Sequence, residues 1–260
     1  MSVGHQVGVL VLSGLLLSGC ATGTRDDADS RTAAGVVSMA PGAHPWPAPE
    51  SDAVPGADNN TAWVHQTLPG KRATEIRYVR MDGRDAVAVQ SSAAASLLRH
   101  RLRLEPTELG QLKFSWKVPA LIAGADLAVR DRADSPARVI LAFDGDRSRL
   151  SMKDAMLSEL ARTLTGEELP YATLMYVWCN VRAPESVIHS ARTDRIRKIV
   201  VESGPRRLNG WLDYERDVRA DYQRAFGEAP GALIGIAIMT DTDNTKSTAR
   251  AFYGPVSLRH

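Results

Sequence analysis

Ile76-Arg77-Tyr78-Val79-Arg80-Met81-Asp82-Gly83-Arg84-Asp85-Ala86-Val87-Ala88-Val89 is the stretch whose reading decides the fold. Ile76 and Tyr78 recur at every second position, as do Val87 and Val89, so each run can present one face to a core. Between them, Met81-Asp82-Gly83-Arg84 carries an Asp-Gly pair. That pair accepts the left-handed backbone of a two-residue turn and joins the runs as a hairpin.

Working outward, the same signature returns. Phe114, Trp116 and Val118 alternate with Ser115 and Lys117, a strand with one buried face. Apolar or β-branched runs over 136–143, 172–179, 196–201, 233–239 and 251–258 read as further strands. Two helices interrupt them. One, over 150–164, places Met152, Met156, Leu160 and Leu164 on one side, expected to face the core. The other, over 211–226, carries Trp211, Tyr214, Val218, Tyr222 and Phe226 inward, with Asp213, Glu215, Arg216, Arg219 and Gln223 in water. Many strands, few helices and no strand–helix alternation predict a mainly β fold. The expectation is a jelly-roll-like antiparallel β-sandwich with two inserted or flanking α-helices, one domain over residues 61–260.

The N-terminal segment is of another kind. Residues 8–17 form an apolar run too short to span a bilayer, followed by the tetrad Leu17-Ser18-Gly19-Cys20. This matches a bacterial lipobox: residues 1–19 read as a lipoprotein signal peptide and Cys20 as the lipidated residue. Residues 20–60 then hold the anchor and a Pro/Ala/Gly-rich tether, stiffened by Pro41, Pro45, Pro47, Pro49 and Pro55. As a coil it would reach about 35 Å. Ala21 after the cysteine favours the outer membrane. The expected address is thus the cell envelope, with the membrane as partner through the lipid.

Composition narrows the function classes. A formal charge of +2 on 260 residues points away from nucleic acid, and 44% apolar residues suit a globular core. Only Cys179 accompanies Cys20, so no internal disulfide can form in the mature chain.

Ile234-Gly235-Ile236-Ala237-Ile238-Met239-Thr240-Asp241-Thr242-Asp243-Asn244-Thr245, with Tyr253-Gly254 beyond it, carries a family likeness. Phe114-Ser115-Trp116-Lys117-Val118, Asp134-Ser135-Pro136-Ala137-Arg138-Val139, Tyr176-Val177-Trp178 and Phe226-Gly227-Glu228 agree in the same order. The chain from about residue 62 onward resembles the bacterial domain-of-unknown-function family 3047. The resemblance implies an exported bacterial domain with no assigned activity.

Asp241, Asp243, Asn244 and Thr245 make the most suggestive patch, set at the end of a strand. Alternating carboxylates can offer oxygen ligands to calcium, here through Asp241 and Asp243, or accept hydrogen bonds from sugar hydroxyls. An EF-hand is excluded, since Lys246 stands where its glycine would be and Phe252 where its bidentate glutamate would be. The same residues can equally form an Asx-type turn between strands. Asp131 and Asp134 join them as ligand candidates, in a cluster with Asp126, Arg130, Arg132 and Arg138. Two such carboxylates in a cleft could hydrolyse a glycosidic bond. Cys179 with His189 makes a weak thiol–base pair, since a cysteine inside a strand is commonly a small buried hydrophobe. Trp116 and Trp178 read as core residues, and Trp63 as the tryptophan freer to stack on a sugar. The leading expectation is a non-enzymatic envelope domain that binds a glycan, with calcium as the candidate cofactor. The alternatives are a polysaccharide-acting hydrolase or lyase, and a scaffold for another envelope protein.

Overall fold

The computed structural model describes residues 63–259, together with the backbone of Val36–Ser38. Residues 1–19, read as a signal peptide, and Cys20 lie outside the described residues. One sheet runs in the order β1 (Val36–Ser38), β3 (Glu75–Met81), β4 (Arg84–Ser92), β13 (Thr248–Tyr253), β6 (Gln111–Lys117) and β11 (Trp211–Asp217). A short β14 (Ser257–Arg259) also pairs with β6. The other sheet runs β2 (Val64–Thr67), β5 (Ser96–Leu104), β12 (Leu233–Asp241), β7 (Ser135–Phe143), β8 (Ala172–Cys179), β10 (Ile196–Ser203) and β9 (Val187–His189). The fold is a β-sandwich of jelly-roll type, as the strand pattern predicts.

The deciding hairpin forms as read. Ile76 pairs with Val89 and Tyr78 with Val87, and Asp82 and Gly83 turn the chain at φ 51° and 77°. The two-residue turn with both φ positive matches the right-handed twist of the strands it joins.

Between the sheets lies an aromatic core. Phe114 stacks on Tyr214 at 5.2 Å and on Tyr176 at 5.6 Å, and Trp116 meets Trp178 at 6.4 Å. Both tryptophans are fully buried, which settles them as core residues. Inward positions alternate along the central strands β7 and β8: Val139, Leu141 and Phe143 on the first, and Leu174, Tyr176 and Trp178 on the second.

Four expectations need correction. The helix expected over 211–226 begins only at Val218; α2 (Val218–Phe226) is capped by Asp217, which accepts a hydrogen bond from the Ala220 amide at 2.9 Å. Residues 211–217 are strand β11, because Leu212 and Tyr214 also satisfy a period of two and fall opposite Trp116 and Phe114. Second, the apolar stripe of α1 (Met152–Thr165) does not enter the core: Met152, Met156, Leu160 and Leu164 are exposed. The helix instead docks through buried Asp154 and Ser158, bonded to Thr193 and Arg147. Third, the sandwich is not wholly antiparallel, since β8 and β10 run parallel. The chain between them loops out, adds β9 antiparallel to β10, and so returns to the sheet in its original direction. Fourth, Trp63 is buried against His100, at 5.5 Å between rings, and offers no free face. Within the stretch expected to be tether, Val36–Ser38 pairs with β3 as an edge strand.

Candidate functional site

The acidic residues at the end of β12 come together with one from the approach to β7. Asp134, Asp241 and Asp243 are all buried, and each offers an oxygen within 4.8 Å of the others. Sequence reasoning placed them in two loops; the pairing of β7 with β12 joins those loops. Asp131 is not part of the group. It sits exposed on the turn Arg130–Arg132.

Each clustered carboxylate already has partners. Asp134 accepts from the Asn244 amide at 3.2 Å and side chain at 2.9 Å, and from the Thr245 amide and hydroxyl, both at 2.7 Å. Four donors on two oxygens make it the staple that fixes the loop after β12. Asp241 is gripped by Arg138, Nε to Oδ1 at 2.9 Å and Nη2 to Oδ2 at 2.8 Å, and accepts from the Ser135 amide at 3.1 Å. Asp243 pairs with Lys71. Burial pushes the Asp241 carboxyl up to about 6; Arg138 pulls it down, while Asp134 and Asp243 push it further up. Asp134, Asp241 and Asp243 are thus the residues that could hold a cation, and two basic side chains already neutralise much of their charge. As an acid–base pair they are poorly placed, because the oxygens that would act on a substrate are committed to the protein.

Cys179 is buried in an apolar cluster with Leu127, Val177, Ile188 and Val200, whereas His189 is exposed. No thiol–base site forms there.

What sequence reasoning missed is a groove of about 1200 Å³ on the outer face of the second sheet. Its floor is the outward residues of the central strands: Ile140 and Ala142 from β7, Gly235, Ala237 and Met239 from β12, Thr173 and Met175 from β8. α1 makes one wall through Leu157, Leu160, Ala161 and Leu164, and the turn after β2 makes the other through Leu68 and Lys71. Two of the exposed α1 leucines therefore border this groove. At one end it runs into a smaller recess of about 180 Å³ that shares Lys71, Arg138 and Arg192 and reaches Lys198, Asp241 and Asp243. The acidic cluster therefore lies at the end of the groove, as part of its wall.

Lys198 is the unusual group of that recess. It is 5% exposed and its Nζ donates to the Leu127 carbonyl at 2.8 Å. Burial and the nearby Arg138 guanidinium bring its ammonium down to about 8.

Comparisons with known proteins place the chain among others. The family described as "Protein of unknown function (DUF3047)" matches residues 61–257. No curated protein matches the chain. Among solved structures, it is similar to a meso-active, thermostable cellulase derived from Cel12A of Rhodothermus marinus, at 11% identity and a TM-score of 0.39, covering 75% of this chain and 94% of that one. It is similar to the xyloglucanase domain of NopAA, a type three effector from Sinorhizobium fredii, at 8% identity and a TM-score of 0.40, covering 75% and 92%. A family 11 carbohydrate-binding module from Clostridium thermocellum matches at 10% identity and a TM-score of 0.31, covering 88% and 100%. These likenesses are of fold.

Proposed function

The chain belongs to the DUF3047 family of proteins of unknown function, and from that premise we propose that its domain binds an envelope ligand without transforming it. The observation that carries this reading is the groove on the second sheet: large, open to solvent, and floored by rigid central strands. The carboxylates at its end support binding over catalysis, because Arg138, Lys71 and the loop backbone occupy their oxygens. The domain would work from a membrane, carried by a lipid on Cys20, which the lipobox tetrad supports.

A thermal-shift screen of the full chain tests the reading, with soluble glycans, calcium and lipid-like compounds as probes. Ala237→Phe, which fills the groove floor, is the control. At about 100 times its dissociation constant a ligand adds roughly 2.7 kcal/mol of apparent stability. A shift that disappears in Ala237→Phe supports the groove. Shifts from no probe, or shifts that Ala237→Phe leaves intact, would refute it. Cys20→Ser should release the protein from membranes; retention there would refute the anchor.

One observation favours a second reading. Met152, Met156, Leu160 and Leu164 stay exposed along one stripe of α1, and such stripes mark protein contact surfaces. Under a scaffold reading, Met152→Lys with Met156→Lys would abolish capture of an envelope protein while leaving groove ligands bound.

A further inference from the structure

The groove and its end recess differ in chemistry, and the difference names a class of ligand. Among their lining residues there is no aromatic ring, so a pyranose has no platform on which to stack. The floor is aliphatic and, at Ala142, Gly235 and Ala237, small enough to leave depth. The α1 wall adds Leu157, Leu160 and Leu164, about 10 Å of apolar length along the helix. The recess is the opposite. It brings five basic side chains, Lys71, Arg130, Arg138, Arg192 and Lys198, against two carboxylates, Asp241 and Asp243.

Those carboxylates are not free to balance the excess. Asp241 is held by Arg138 and Asp243 by Lys71. Lys198, almost fully buried, has a carbonyl as its hydrogen-bond acceptor and forms no ion pair among the described residues. A buried ammonium held by one carbonyl is under-compensated, and its lowered affinity for a proton reports that. Arg192 is exposed at the junction of recess and groove, also without an ion pair among the described residues. Charge complementarity therefore calls for an anion in the recess, and burial of apolar surface calls for a chain in the groove.

We propose that the groove takes an anionic amphiphile, with a phosphate or carboxylate head seated between Arg192 and Lys198 and an aliphatic body over Ala142, Gly235 and Ala237. This rests on the groove being the binding surface of the domain. The acidic cluster then has a defined part: it holds Arg138 and Lys71 in place beside the head.

The test is titration calorimetry on the full chain carrying Cys20→Ser, so that no acyl chain of its own competes. Dodecyl phosphate, below its micelle threshold, is compared with dodecanol, inorganic phosphate, dodecyl maltoside and cellotetraose. Dodecyl phosphate should bind at least about tenfold more tightly than any of the others. Arg192→Glu, on an exposed loop, should weaken dodecyl phosphate by about tenfold or more and leave dodecanol unchanged. Ala237→Phe should abolish both. Equal binding of dodecyl maltoside or dodecanol would overturn the anionic head, and equal binding of inorganic phosphate would overturn the aliphatic body. Cellotetraose bound in an Ala237→Phe-sensitive way, with dodecyl phosphate unbound, would overturn the amphiphile and keep the groove. Silence from every probe would overturn both.

Discussion

Arg138 and Asp241 face each other across neighbouring strands as a buried pair, joined by two hydrogen bonds of 2.9 and 2.8 Å with both side chains about 5% exposed. The guanidinium fork matches the carboxylate, and the Ser135 amide takes a third position on it. Such a pair is costly to break and cheap to replace whole.

Asp241→Ala should therefore destabilise the domain by about 3–5 kcal/mol, since it leaves Arg138 charged, buried and unmatched. Arg138→Met combined with Asp241→Leu should recover most of that loss. Urea denaturation of the three variants checks it. Should the single substitution cost under about 1 kcal/mol, the pair is not buried as described.

Lys198 sets a pH dependence. Its ammonium loses its proton near 8 in the folded chain, against an ordinary value of 10.5. Between those values the unfolded chain holds more protons, so this group's contribution to stability rises with pH, by about 3 kcal/mol across the window. Below about pH 8 that contribution is lost. Lys198→Met should flatten the rise when stability is measured from pH 7 to 10. Parallel profiles for parent and variant would contradict the assignment.

Gly231 lies where two backbones approach closely. A Cβ there would stand 2.2 Å from the Asp144 carbonyl oxygen, while the Asp144 amide bonds the Ala232 carbonyl at 2.8 Å. Gly231→Ala should cost about 1–3 kcal/mol by forcing the end of β7 away from β12. At Gly210 the nearest atom to an added Cβ is 3.8 Å away, so Gly210→Ala serves as the benign comparison. Thermal melts that rank the two the other way would reject this packing.

Trp63 anchors the segment that leads into the second sheet. It packs on His100 just ahead of edge strand β2. Trp63→Ala should lose about 3–5 kcal/mol, as large buried side chains do. A chain starting at residue 68 should be less stable still, because β5 loses its neighbour Val64–Thr67. Equal denaturation midpoints for chains starting at 61 and at 68 would reject this contribution of β2.

What the sequence made legible was set by pattern strength. The Asp82-Gly83 turn fixed its hairpin because few other conformations suit that pair between alternating runs. β11 and α2 were fused into one helix because Trp211, Tyr214 and Val218 satisfy a helical period while Leu212 and Tyr214 satisfy a strand period; only pairing with β6 decides between them. The α1 stripe misled for a different reason. A helix shows the same moment whether its apolar side meets a core or is left in water beside polar anchors such as Asp154 and Ser158. Asp134, Asp241 and Asp243 were each visible as candidates, but their meeting depends on long-range strand pairing. The groove was invisible because its floor belongs to central strands whose two faces are both apolar, so neither face announces itself.

Strand order also governs when this chain can fold. β12 completes the second sheet by lying between β5 and β7, and β13 completes the first by lying between β4 and β6. Both closing strands come later in the chain than the strands they join. Until they exist, each sheet is two fragments with open inner edges, and the contacts that would reward closure are distant in sequence. A chain made only as far as α2 thus has both sheets open. A chain in that condition needs protection from self-association until its closing strands arrive.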